Sequence, residues 1–94
     1  KIGAAEAEKI GMIYKCFADA VFEESAIQIA GTLARLPTGA LMLTRHALMQ
    51  SPTNTLDQQL ELEKKLQDRA GHTDDFKEGI TTFFEKRLPL FKGK

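Results

Sequence analysis

Three prolines, at 37, 52 and 89, cut this chain into helical pieces too short to stand alone. Proline fixes φ and lacks an N–H, so it opens a helix or stops one. Leu36-Pro37 ends one apolar segment, and Pro37 serves as the first residue of the next. Ser51-Pro52 stops that one, and Pro89 prevents the last helix from continuing. Glycines punctuate the rest: Gly11 closes a short Ala- and Glu-rich turn over residues 4–10, and Gly71 caps the helix before it.

Between these marks the pattern is helical. Asp19 is placed to start a helix, with Glu23 and Glu24 near its first turn, and Phe22, Ala26, Ile29, Ala30 and Leu33 line one face. The next helix carries Ala40, Leu43, Ala47 and Leu48. Thr55 with Gln58 three residues on reads as a capping box, followed by Leu56, Leu60, Leu62 and Leu66. Thr73 or Asp74 starts a last helix that runs to near Arg87. Gly79 inside it implies a close packing contact that excludes a β-carbon. The one strand candidate is Met12 to Phe17 (MIYKCF), which has no second strand to pair with in this chain.

Leu41, Met42, Met49 and Leu62 fall off the main stripes. Helices apolar on more than one side are buried on more than one side. Ninety-four residues in one domain would make only a marginal core. These residues therefore point to another domain, another subunit, or both. The chain opens on Lys1 rather than Met, which fits a fragment or a processed product.

Thirteen basic residues balance thirteen acidic ones, so no excess of positive charge is available for a nucleic acid backbone. The longest uncharged run, Ala26 to Ala34, is too short to span a bilayer. No signal-peptide pattern is present, and Cys16 is alone, so cytoplasmic location and no membrane partner are expected. His46 and His72 lie on different elements without metal-ligand spacing, so no metal is expected. Asp74, Asp75 and Glu78 cluster near a helix start, where capping and dipole pairing explain them. Glu63, near an apolar face, reads as a helix-edge residue paired to Lys or Arg.

One group of residues suits a ligand that joins a flat ring to phosphates. Phe83 and Lys86 are three apart, and Phe83 and Arg87 four apart, so on a helix the ring and the cations would be neighbours. An aromatic face stacks on a heterocycle, and a cation beside it pairs with phosphate. The competing reading is structural: Phe76, Ile80, Phe83, Phe84 and Leu88 also form an apolar stripe at helical spacing.

Several segments, in order, resemble a known family. They are AEKIGMIYKC (7–16), Ala34-Arg35-Leu36-Pro37, Leu43-Thr44-Arg45-His46-Ala47-Leu48, Leu60-Glu61-Leu62-Glu63 and DFKEGITTFFEKRLPLFKG (75–93). Together they are similar to the C-terminal region of the crotonase, or enoyl-CoA hydratase/isomerase, superfamily. The most specific part is Asp75-Phe76-Lys77-Glu78-Gly79 followed by Phe83 and Glu85-Lys86-Arg87. Leu-Pro-Thr-Gly, Gln67 to Thr73 and Pro89-Leu90-Phe91 most resemble the phenylacetate-pathway isomerases, which act on ring-1,2-epoxyphenylacetyl-CoA.

The resemblance implies a mostly α chain: about four helices plus one short strand, the C-terminal segment of an α/β spiral fold. Residues 1–18 would be the last turn of an N-terminal spiral domain absent from this chain. Residues 19–94 would form the helical segment that builds a trimer or hexamer and touches CoA. The family's oxyanion-hole and catalytic acid positions match nothing here. Phe83 and Lys86 match positions that contact the adenine and phosphate end of CoA. The resemblance thus implies an acyl-CoA substrate and no separate cofactor. Gln67 replaces an aromatic contact found in some hydratases, and Thr82 stands where Ala is usual. The rival expectation is a stand-alone helical oligomerisation module without catalytic activity.

Overall fold

The computed structural model describes all of residues 1–94 and contains five helices. They are α1 (Ala4–Lys9), α2 (Asp19–Ala34), α3 (Thr38–Gln50), α4 (Leu56–Gly71) and α5 (Asp74–Glu85). The chain divides into two compact units, Lys1–Gly31 and Thr32–Lys94, and α2 runs from the first into the second. No helix is long and apolar enough to cross a membrane.

In the first unit, α1 ends as its glycine predicts. Gly11 takes φ +74, its N–H returns to the Glu8 carbonyl, and the Met12 N–H returns to Ala7. This is the six-to-one and five-to-two closure that a left-handed residue permits. Met12 to Phe17 is not a strand but a turn and an irregular stretch. The reversal at Gly11 folds these residues back on α1, and the Glu8 carboxylate accepts from Lys15 Nζ at 2.6 Å and from the Cys16 N–H at 2.8 Å. A side chain therefore takes the donor that a neighbouring strand would have taken. Lys15 holds the Glu8 carboxyl below its ordinary range, and the Cys16 N–H adds to the effect.

In the second unit, α3 and α4 form a helical hairpin. Its turn is held by Gln59, whose amide nitrogen donates to the Ala47 carbonyl at 3.2 Å and to Glu63 Oε1 at 2.8 Å. Glu63 thus pairs with an amide rather than with the expected cation. The capping box at α4 forms as expected: Thr55 Oγ1 accepts from the Gln58 N–H, and Gln58 Oε1 accepts from the Thr55 N–H. Thr73, rather than Asp74, caps α5 by accepting from the Phe76 N–H at 3.1 Å. Glu61 and Lys65, four residues apart on α4, form an ion pair at 3.4 Å. At this exposure it contributes about 0.3–0.5 kcal/mol.

Ala7, at 8% exposure, is the one buried apolar residue. Large apolar side chains on every helix after α1 remain open, among them Phe22, Leu33, Met42, Met49, Leu60 and Phe84. The off-stripe residues Leu41, Met42 and Met49 are all exposed. The helices are formed, but their apolar faces are not covered.

Candidate functional site

The end of α5 and the tail behind it form the candidate site. The helix stops at Glu85, two residues before Arg87, so the two basic residues do not continue it. Lys86 closes it in the left-handed conformation (φ 53, ψ 39), and the N–H groups of Lys86 and Arg87 both return to the Thr82 carbonyl. For a residue with a β-carbon this conformation costs roughly 1–2 kcal/mol. Thr82, 3% exposed, donates its hydroxyl to the Gly79 carbonyl at 3.1 Å. The Thr82 hydroxyl is thus satisfied inside the helix.

Beyond Lys86 the chain folds back along α5, and two carboxylates hold it. Glu78 takes Arg87 in a two-pronged pair, Nη1 to Oε1 at 2.7 Å and Nη2 to Oε2 at 3.0 Å. Its Oε1 also accepts from the Leu90 N–H at 2.9 Å. The Arg87 guanidinium, helped by the Leu90 N–H, pulls the Glu78 carboxyl down to about 2. Asp75, 5% exposed, accepts from the Lys92 N–H at 2.6 Å and the Gly93 N–H at 2.8 Å. Its own N–H donates to the Lys94 carbonyl at 3.0 Å. Asp75 and Glu78 therefore clasp the tail, a role beyond the helix-start capping that their positions predict. Phe91 lies over Gly79, with its ring 3.8 Å from where a β-carbon would stand. The expected contact exists, but at ordinary van der Waals distance, so it does not exclude a β-carbon.

An apolar groove of about 660 Å³ runs beside the tail, lined by Pro37, Phe76, Ile80, Phe83, Phe84 and Phe91 among others. Phe83 is 79% exposed and meets Phe84 edge-on, with centroids 5.7 Å apart. Both earlier readings thus meet in one place, because the stripe residues Phe76, Ile80 and Phe84 line the same groove as Phe83. Lys86 lies outside the groove lining. Gln67 lies in a second groove of about 450 Å³ between α3 and α4. His72 turns its Nδ1 to the Asp68 carbonyl at 2.7 Å on an exposed helix end.

The two basic residues differ in what they have left to offer. Arg87 also donates Nε to Glu85 Oε2 at 2.6 Å and Nη1 to the Leu88 carbonyl at 3.3 Å. Its fork is closed by carboxylates. The Lys86 ammonium forms no ion pair or hydrogen bond. Periodicity could not separate these two cations, because the partner of Arg87 lies nine residues back.

The sequence profile of the enoyl-CoA hydratase/isomerase family matches residues 1–94. The chain is 40% identical over its whole length to a 1,2-epoxyphenylacetyl-CoA isomerase of Escherichia coli (strain K12), covering 36% of that protein. It is also 40% identical to a probable enoyl-CoA hydratase of Rhodobacter capsulatus, again over its whole length and 37% of the relative. Among solved structures it superposes on an enoyl-CoA hydratase from Bacillus anthracis with a TM-score of 0.84 and 33% identity, over 97% of this chain and 35% of that one. The chain thus spans about a third of the length of the relatives it matches. The matched segments include the α5 motif and the tail it clasps, and on this full-length correspondence the chain belongs to the enoyl-CoA hydratase/isomerase family of the crotonase superfamily.

Proposed function

We propose that this chain is the C-terminal helical segment of an acyl-CoA isomerase or hydratase, and that it contributes subunit contacts and the distal contact to CoA. In this reading Phe83 stacks on the adenine and the Lys86 ammonium pairs with a phosphate of the same ligand. The observation that carries it is the contrast at the end of α5: an exposed aromatic ring at Phe83 and, three residues on, a cation with no partner, while the adjacent arginine is tied down. Reaction chemistry is assigned to residues preceding this chain in the intact protein. There two backbone N–H groups would polarise the thioester carbonyl and a carboxylate would move a proton. Binding energy collected at the far end of CoA would be used at the reacting end.

Residues 1–18 are proposed to complete a spiral domain, and residues 19–94 to bridge subunits of a trimer or hexamer in the cytoplasm. The uncovered apolar faces of α2 to α5 support contacts of this kind. Ring-1,2-epoxyphenylacetyl-CoA is the first substrate to assay, given the isomerase relative.

The test uses the full-length protein. Lys86→Ala is expected to raise KM for the acyl-CoA about tenfold, the value of one charged hydrogen bond of roughly 1.4 kcal/mol. Unchanged kinetics would remove Lys86 from the site. A full-length protein that assembles but turns over no acyl-CoA would favour a module that only oligomerises.

A further inference from the structure

Glu78 sits two helical turns before Lys86 and does not touch it, yet it holds the chain on the far side of that residue. Its carboxylate binds the guanidinium of Arg87, the next residue, by both oxygens and also accepts the Leu90 N–H. Glu85 takes Arg87 from the other side. Four of the five N–H donors of Arg87 are thereby engaged. Lys86, between the helix and this fastened residue, is in a conformation that a non-glycine residue leaves when unrestrained.

From this geometry we infer that Glu78 is a positioning residue for the distal-CoA site: through Arg87 and the Leu90 N–H it fixes the left-handed turn that carries Lys86, and it withdraws Arg87 from phosphate binding. The inference rests on the reading of Lys86 as the phosphate contact. It assigns the neighbouring arginine, the better phosphate ligand by chemistry, to the scaffold instead. Phosphate recognition then falls on one point charge. Removing Glu78 leaves Arg87 held by Glu85 alone among the carboxylates and unfastens the turn, and the loss of a fixed Lys86 dominates because an unordered cation must first be ordered to bind.

The experiment compares two substrates in the full-length protein: the acyl-CoA and the matching acyl-pantetheine thioester, which lacks the nucleotide. Glu78→Gln is expected to raise KM for the acyl-CoA about three- to tenfold, the scale of one weakened charge-assisted contact, with kcat unchanged. The pantetheine ester should be turned over as by the parent protein. Lys86→Gly, which suits the left-handed turn but lacks the ammonium, should raise KM for the CoA ester, and Glu78→Gln should add nothing in that background. Loss of activity on both esters would make Glu78 a folding residue only and overturn the inference. So would an unchanged or lowered KM, or full additivity with Lys86→Gly. If Lys86→Gly itself leaves KM unchanged, the phosphate-contact reading fails first. If Lys86→Gly raises KM and Glu78→Gln does not, the positioning inference fails alone.

Discussion

Gly39 and Gly93 approach so closely that a β-carbon on Gly39 would stand 3.0 Å from the Gly93 carbonyl oxygen. Gly93 takes φ +76, and a β-carbon there would lie 2.5 Å from Thr38 Oγ1. The start of α3 and the end of the tail are therefore in backbone contact, and the Asp75 clasp keeps the tail from backing away. Gly39→Ala gains about 1 kcal/mol of helix propensity but incurs an overpacking cost of about 1–3 kcal/mol. A net loss of about 1 kcal/mol is expected by denaturant titration of the full-length protein. A gain in stability would show that the tail moves aside at little cost.

Gly79 gives the opposite sign. Its missing β-carbon would make only ordinary contact with the Phe91 ring at 3.8 Å. Gly79→Ala should therefore stabilise the protein by up to about 1 kcal/mol through helix propensity alone. Thermal melting reads this directly, and a fall in Tm would mean that Phe91 packs closer in solution.

Asp75→Ala leaves the Lys92 and Gly93 N–H groups without their acceptor. Unmade bonds at a buried group cost about 1–3 kcal/mol. The expected local result is fast amide hydrogen exchange at Lys92 and Gly93, with the α4 amides protected as before. Continued protection of those two amides would assign the tail's anchorage to the Gly39 contact.

Acid should open the clasp at Glu78. Its carboxyl lies at about 2 when folded, against about 4.3 in an unfolded chain. A carboxyl lowered by folding stabilises the fold fully above the unfolded value. That contribution is lost as pH falls from about 5 towards 2. The Leu90 amide shift should follow the Glu78 carboxyl with a midpoint near 2 in an NMR titration. A midpoint near 4 would mean that Arg87 is not held in solution.

The helix boundaries were legible because their signals are local. The Thr55–Gln58 box and Gly11 each act within one turn and do in the structure what their chemistry predicts, whereas Pro37 stands one residue before α3 and Gly71 is the last residue of α4, with His72 at the cap position. The clasp was not legible in the same way. Glu78 and Arg87 are nine residues apart, and Asp75 and Gly93 eighteen, whereas periodicity reads only three- and four-residue neighbours. The sequence places the end of α5 near Arg87, two residues beyond its end at Glu85, because a lysine stands where glycine or asparagine would mark a left-handed cap. Met12 to Phe17 reads as a strand because it is a short segment bounded by Gly11 and Asp19, but strand-like composition reports a half-buried surface rather than a backbone preference. The glycine reversal and the Glu8 carboxylate decide the matter instead.

The left-handed Lys86 has a consequence for anyone improving this protein by selection. A screen that rewards heat resistance would find glycine at that position early, since glycine adopts φ 53 without a steric penalty. The same exchange would delete the unpaired ammonium. If Lys86 is the phosphate contact proposed above, hardiness and ligand capture compete for one residue, and a library ranked on melting alone would drift toward a sturdier protein with a blunter grip.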